Sequence, residues 1–160
     1  MKQPALALCL KICTVAIALV AAVVLYHILP AGVDACLADV PASYAWLRIP
    51  SKVIILLSSL PCAVALVAFF LICCEIGRDN SFCRKNVRRL ILIAACAIAG
   101  VLFCTAEFLL LFSAGALHPG IALLCIAISL FGVTIAAAAA ILSHLVEKAC
   151  VLREEQDLTI

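Results

Sequence analysis

Four long apolar stretches, separated by short polar segments, dominate the chain at about residues 12–29, 53–74, 90–113 and 120–143. Each is about 18–24 residues long, which is the length that a helix needs to cross roughly 30 Å of hydrocarbon. The pattern predicts an all-α membrane protein, a bundle of four transmembrane helices that forms a single domain over residues 1–160. With 68% apolar and 12% charged residues, the composition is far from that of a soluble globular protein.

The distribution of Lys and Arg predicts how the bundle is oriented. If the N-terminus is inside, only Arg48 and Lys52 lie in outer loops, and the other nine cations are cytoplasmic. Short cytoplasmic loops retain cationic side chains. We therefore expect an N-in, C-in arrangement, with a cytoplasmic basic loop at 75–89 and a cytoplasmic tail at 144–160.

Prolines and small polar residues mark the ends of the apolar stretches. Pro30 with Gly32 is expected to close the first helix, and Ser51 to cap the start of the second. Pro119 suits the first turn of the fourth helix, where a missing N–H is harmless. Pro61 lies inside the second stretch and predicts a kink.

Rows of small residues predict close packing between helices. We interpret them as contacts within one chain, with a homo-oligomer interface as the alternative. The rows are Gly132, Ala136 and Ala140 on the fourth span, and Cys96, Gly100 and Cys104 on the third.

Glu107 is the one acidic residue within an apolar stretch. An ionised carboxylate inside a membrane is costly, so the group is expected to face the bundle, to be protonated or to reach an aqueous cavity. One interpretation is a functional site of a transporter, and the other is a structural hydrogen bond between helices.

No residue pattern indicates catalysis, a cofactor or a metal. His27 and His118 near the outer ends, even with Glu107, lack the spacing of a metal site. We therefore expect no catalytic residue, no cofactor and no metal ligand, and predict that the protein is not an enzyme.

Eleven cysteines are present, mostly within the apolar stretches, where cysteine behaves as a small apolar residue. No paired C-x-x-C framework of the zinc type occurs. Packing is the preferred interpretation, and redox sensing by Cys83 or by Cys73 and Cys74 stays open as an alternative.

The loop after the second span is strongly basic, and the tail is acidic. Cations at i and i+4 on the helix that follows the loop repel one another, so a negative partner is expected, either anionic lipid headgroups or a protein. Phe82 could insert at the interface, and the tail could supply one carboxylate and two apolar anchors. The candidate binding residues are Phe82, Arg84, Lys85, Arg88, Arg89, Asp157, Leu158 and Ile160.

Two segments resemble the bacterial membrane family catalogued as domain of unknown function 2975. The first contains Gly77 and Phe82 followed by Asn-Val-x-Arg-Leu at 86–90, and the second is the ending Glu-x-Asp-Leu-Thr-Ile at 155–160. Cys83 departs from the Ser or Thr that is more common there. The resemblance implies a multi-pass protein of the bacterial plasma membrane without an established activity. It also implies that a small helix-turn-helix regulator is often encoded beside it.

Two functions follow as hypotheses. The first is a regulatory or interaction protein whose basic loop and acidic tail hold a cytoplasmic partner, such as a small helix-turn-helix regulator, without itself binding nucleic acid. The second is a small transporter or toxin-immunity protein that uses Glu107.

Overall fold

The computed structural model describes residues 3–38, 41–77 and 83–157, and the regular elements among them are all helical. The predicted fold class is therefore confirmed. The α-helices are α1 (Gln3–Val23), α2 (Leu29–Cys36), α3 (Arg48–Ile76), α4 (Arg84–Ser113) and α5 (Pro119–Asp157).

Four continuous helical segments are long and apolar enough to cross a membrane. Each contains one of the apolar stretches in the sequence and extends past it on at least one side. Their bounds are Ala7–Ala35, Ser43–Ile76, Arg84–Ser113 and Pro119–Leu152. The chain is thus a multi-pass membrane protein.

The first span passes through Pro30 without ending. A π-helical turn, Val24–Ile28, joins α1 to α2, and Pro30 lies in the first turn of α2. Proline lacks an N–H and its ring clashes with the carbonyl four residues earlier in a regular helix. The wider π-turn accommodates both effects, so the prediction that Pro30 and Gly32 close this helix is wrong.

The second span also contains an internal proline. A 3-10 helix at Ala42–Leu47 leads directly into α3, and α3 continues through Pro61. Ser58 and Ser59 each donate a hydroxyl hydrogen bond to the main-chain carbonyl three residues earlier, at 2.7 and 2.6 Å. Their hydroxyl groups are thereby satisfied within the helix, without a partner on another span.

The connection between α4 and α5 is a tight turn. Gly115 has a φ of +65°, a conformation that glycine adopts without steric cost. The N–H groups of Gly115 and Ala116 donate to the carbonyls of Phe112 and Leu111, at 3.0 and 3.1 Å. Helix α5 then begins at Pro119, as the sequence predicts.

Helix α4 lies between α3 and α5, and α1 packs against α3. At Gly132 on α5, an added Cβ would lie 2.5 Å from Val101 Cγ2 of α4, so a side chain here would force Val101 or one of the two helices to move. Ala136, one turn further along α5, is also buried. Ala140, the third residue of the predicted row, is exposed, and Ala139 is buried in its place. Gly100 on α4 has no atom within 4 Å of its would-be Cβ.

The bundle has two chemically different ends. We call the end at which α3 stops and α4 begins the basic end, and the opposite one the distal end. An apolar cluster drawn from three spans and the α4–α5 turn fills the distal end; it consists of Val33, Leu37, Leu47, Ile55, Leu111 and Ala116.

Candidate functional site

Glu107 points into the bundle in the distal half of α4. It lies six residues before Ser113, which places it about 9 Å from the end of the helix. The residue is 8% exposed, and neither carboxylate oxygen has a hydrogen-bond partner among the described residues. The structure thus places this acid between helices, away from the lipid-facing surface.

Ser51 of α3 lies beside the Glu107 carboxyl group. It is fully buried, and its hydroxyl oxygen also has no hydrogen-bond partner in the regions that the structure describes. The prediction that Ser51 caps α3 is wrong, because the helix already begins at Arg48 and its preceding residue is Leu47. One turn into the helix, the side chain turns toward the bundle instead.

Two thiols extend this site toward α5. The Cys104 thiol lies 3.5 Å from the main-chain carbonyl oxygen of Cys125 and also contacts the Cys125 thiol and Ser129. Both cysteines interact electrostatically with Glu107. We call Ser51, Cys104, Glu107 and Cys125 the Glu107 site. Three helices build it, and among the described residues no group of three or more metal-ligating side chains occurs.

Residues of the distal cluster lie on both sides of the Glu107 site. Leu111 lies one turn beyond Glu107 on α4; Leu47 lies one turn before Ser51, just ahead of α3, and Ile55 lies one turn after it. Leu47 and Leu111 are each 1% exposed. The two carboxylate oxygens of Glu107 are themselves shielded from solvent.

Arg89, a predicted binding residue, is engaged inside the basic end. Its guanidinium donates to the carbonyl of Leu71 and to Asn86 Oδ1, each at 3.1 Å, and lies 3.7 Å from Glu75 Oε1. The Arg89 and Glu75 side chains are only 20% and 17% exposed. Arg89 thus joins α4 to the end of α3 and is poorly placed to meet a partner.

The other three predicted cations, Arg84, Lys85 and Arg88, are exposed at the start of α4. Arg84 already makes an interaction within the chain. Phe82, Leu158 and Ile160 lie outside the described residues, and Asp157 is described only as the last residue of α5.

Helix α5 continues past the start of α4 at the basic end. Because Gly132 packs against Val101 in an antiparallel pair, Arg84 lies level with about residue 149. The remaining turns of α5 extend about 12 Å further. A surface depression of about 460 Å³ lies along the last turns of α5, on both sides of that level, and is lined by His144, Glu147, Lys148, Val151, Leu152 and Glu155.

Gly77, at the end of α3, marks a close approach to the first helix. An added Cβ would lie 3.2 Å from Cβ of Ala7. Asn86 and Val87, from the motif that follows the loop, are buried, at 2% and 9% exposed. The described positions of this motif thus hold α1, α3 and α4 together, a role that sequence reasoning missed.

The ten cysteines with described side chains are all free thiols. Cys73, Cys125 and Cys150 are buried, and Cys83 is half-buried at the start of α4. Cys9 and Cys13 are exposed on α1. Packing as the role of the cysteines, and redox sensing by Cys83, Cys73 or Cys74, both stay predictions.

Comparison with known proteins identifies the family but no characterised relative. No curated protein and no solved structure matches the chain. A family model described as protein of unknown function (DUF2975) matches residues 35–160, which is well over half of the chain. The chain therefore belongs to the DUF2975 family.

Proposed function

We propose that this multi-pass membrane protein is a regulatory or interaction protein that holds a cytoplasmic protein at the membrane surface. The binding surface is the basic end, which faces the cytoplasm under the N-in, C-in orientation. A small helix-turn-helix regulator is the proposed partner, because the family resemblance implies such a companion. The membrane itself would be the bacterial plasma membrane.

The observation that carries this proposal is the exposure of Lys85 and Arg88 beside the overhanging end of α5. Two adjacent cations on a helix end favour an acidic partner surface, and they also favour anionic headgroups. The end of α5 that extends past the level at which α4 begins adds exposed apolar side chains, which a protein surface can cover and a charged headgroup cannot. Val151 and Leu152 are 43% and 61% exposed.

Single surface ion pairs contribute only about 0–1 kcal/mol, so charge alone would bind a partner weakly. Apolar anchors supply most of the energy of protein interfaces, and charges at the rim mainly raise the association rate. The α5 overhang and the predicted anchors Leu158 and Ile160 would supply the apolar part. Lys85 and Arg88 would supply the steering charge.

A crosslinking capture from native membranes tests the proposal. The intact chain is compared with one lacking residues 157–160 and with a Lys85→Glu, Arg88→Glu variant. Arg48→Glu, a charge reversal at the exposed distal end, is the matched control. We expect the intact chain and the control to capture a small DNA-binding protein, and both altered chains to lose it.

Two results would contradict the proposal: capture that survives both changes, or no captured protein with the intact chain. The second result would favour the alternative role, a small transporter or toxin-immunity protein using Glu107. Loss of binding to anionic vesicles in the charge-reversed variant, with no protein captured by any chain, would assign the cations to lipid instead.

A further inference from the structure

We propose that Glu107 and Ser51 form a proton-binding site inside the membrane, at which Glu107 carries a proton at neutral pH. The inference is independent of the interaction role at the basic end. It depends on the geometry of the distal half of α3 and α4.

The first argument is the burial of the oxygens. Glu107 is 8% exposed and Ser51 is fully buried, and their three side-chain oxygens have no hydrogen-bond partner within the described part of the chain. A buried acceptor without a partner is destabilising, and more so when it is charged. A proton on one carboxylate oxygen removes the charge and creates a donor for the Ser51 hydroxyl oxygen.

The second argument is the absence of a compensating cation. The titratable groups that interact with the carboxyl group are the thiols of Cys104 on α4 and Cys125 on α5. Lys52, which follows Ser51 on α3, is paired elsewhere: its Nζ lies 2.8 Å from Asp34 Oδ2 of α2. Across the described helices, no Lys, Arg or His side chain therefore neutralises an ionised Glu107.

The third argument concerns the choice of ligand. Hard metal cations take six or more oxygen ligands, whereas the two side chains offer three oxygens. The neighbouring thiols suit soft metals, yet the described residues contain no metal-ligating group of three. A proton needs one oxygen only, and the Ser51 hydroxyl completes its hydrogen bond.

Release of this proton would leave an uncompensated carboxylate between α3 and α4, near the buried side chains of Leu47 and Leu111. A buried charge without a counter-ion is costly, so protonation of Glu107 stabilises the packed arrangement of the two helices.

Infrared difference spectroscopy of the purified full chain in lipid vesicles tests the site without depending on reagent access. The spectrum of Glu107→Gln is subtracted from that of the unaltered chain at neutral pH. We expect the difference to contain the C=O stretching band of a protonated carboxylic acid. Ser51→Ala should shift this band to higher frequency, because the hydrogen bond is lost, and Glu147→Gln should leave it unchanged.

Other outcomes contradict the proposal. If the difference contains the bands of an ionised carboxylate instead, Glu107 is charged and the site does not hold a proton. If adding NaCl or LiCl at constant pH abolishes the acid band, while choline chloride does not, a metal cation is the ligand. Should Glu107→Gln fail to fold, the Ser51→Ala shift decides, since an unmoved band in that variant excludes the pair.

Discussion

The Arg89 guanidinium donates a hydrogen bond of 3.1 Å to the main-chain carbonyl of Leu71, across the interface between α4 and α3. The same group lies close to Asn86 and Glu75, so one side chain ties the start of one span to the end of the previous one. Within the family motif, Arg89 therefore stabilises the packing of α4 against α3, whereas its neighbour Arg88 is exposed.

Replacing Arg89 should destabilise the bundle more than replacing Arg88. Arg89→Gln leaves the partly buried Glu75 without its cation, and we expect a loss of about 1–3 kcal/mol in the free energy of unfolding. Arg88→Gln should change it by less than about 0.5 kcal/mol. An unfolding titration with SDS in mixed micelles measures both, and equal effects would assign Arg89 to the surface.

Gly132 should be intolerant of even one added methyl group. The Cβ of Gly132→Ala would meet Val101 Cγ2 at 2.5 Å, so we expect destabilisation of about 1–3 kcal/mol from overpacking. Gly100→Ala is the control, because its Cβ meets nothing within 4 Å, and it should be neutral or stabilising by up to about 1 kcal/mol.

A second change identifies the cause of the Gly132 effect. Val101→Ala removes the methyl groups that the added Cβ would meet, so the double variant should recover most of the loss. If the loss of stability in the double variant equals the sum of the losses in Gly132→Ala and Val101→Ala, then contact with Val101 is not the reason that position 132 requires glycine.

Replacing both members of the buried pair by apolar side chains should be tolerated better than replacing Glu107 alone. Glu107→Met with Ser51→Ala removes all three buried oxygens and should be neutral or stabilising, whereas Glu107→Met alone leaves the Ser51 hydroxyl without its partner and should lower the free energy of unfolding by about 1–3 kcal/mol. Glu147→Met, at a side chain that is 63% exposed, should be neutral. If Glu107→Met alone is as stable as the double variant, the carboxyl group and Ser51 are not hydrogen-bonded to each other.

The proposed orientation predicts which end of the bundle reacts from outside the cell. Single cysteines are introduced by Arg48→Cys at the distal end and Lys85→Cys at the basic end, both exposed positions. A membrane-impermeant maleimide should label position 48 in intact cells and position 85 only after lysis, as peptide mass spectrometry would show. The reverse pattern would place the basic end outside.

Hydropathy was sufficient to predict the number of spans and the all-α class, because a membrane requires about 20 apolar residues per helix. It also singled out Glu107. Its neighbour Ser51 could not be found in this way, since the sequence does not specify which face of α3 meets α4. The only signal was a hydroxyl residue near the start of a span, and that signal equally suits a helix cap.

The cations at the start of α4 are a second case in which the sequence does not predict which face of a helix is buried. Four cations at 84, 85, 88 and 89 look equivalent in the sequence, but the rotation of α4 turns Arg89 toward α3 and leaves Lys85 and Arg88 exposed. Charge spacing predicts which side chains share a face. It does not predict which face is buried, because that depends on a neighbour distant in sequence.

The π-turn at Val24–Ile28 determines which face of α2 is aligned with the buried face of α1. Thr14 of α1 and Val33 of α2 are both buried, and regular α-helix between positions 14 and 33 would point them about 100° apart. A π-turn accommodates one additional residue, so that the segment from Thr14 to Val33 makes five whole turns. Val33 and Thr14 then lie on the same side of the span. Pro30 is therefore only part of the reason for the turn. A chain without that proline would still need the irregularity, because a straight helix would rotate Val33 out of the distal cluster.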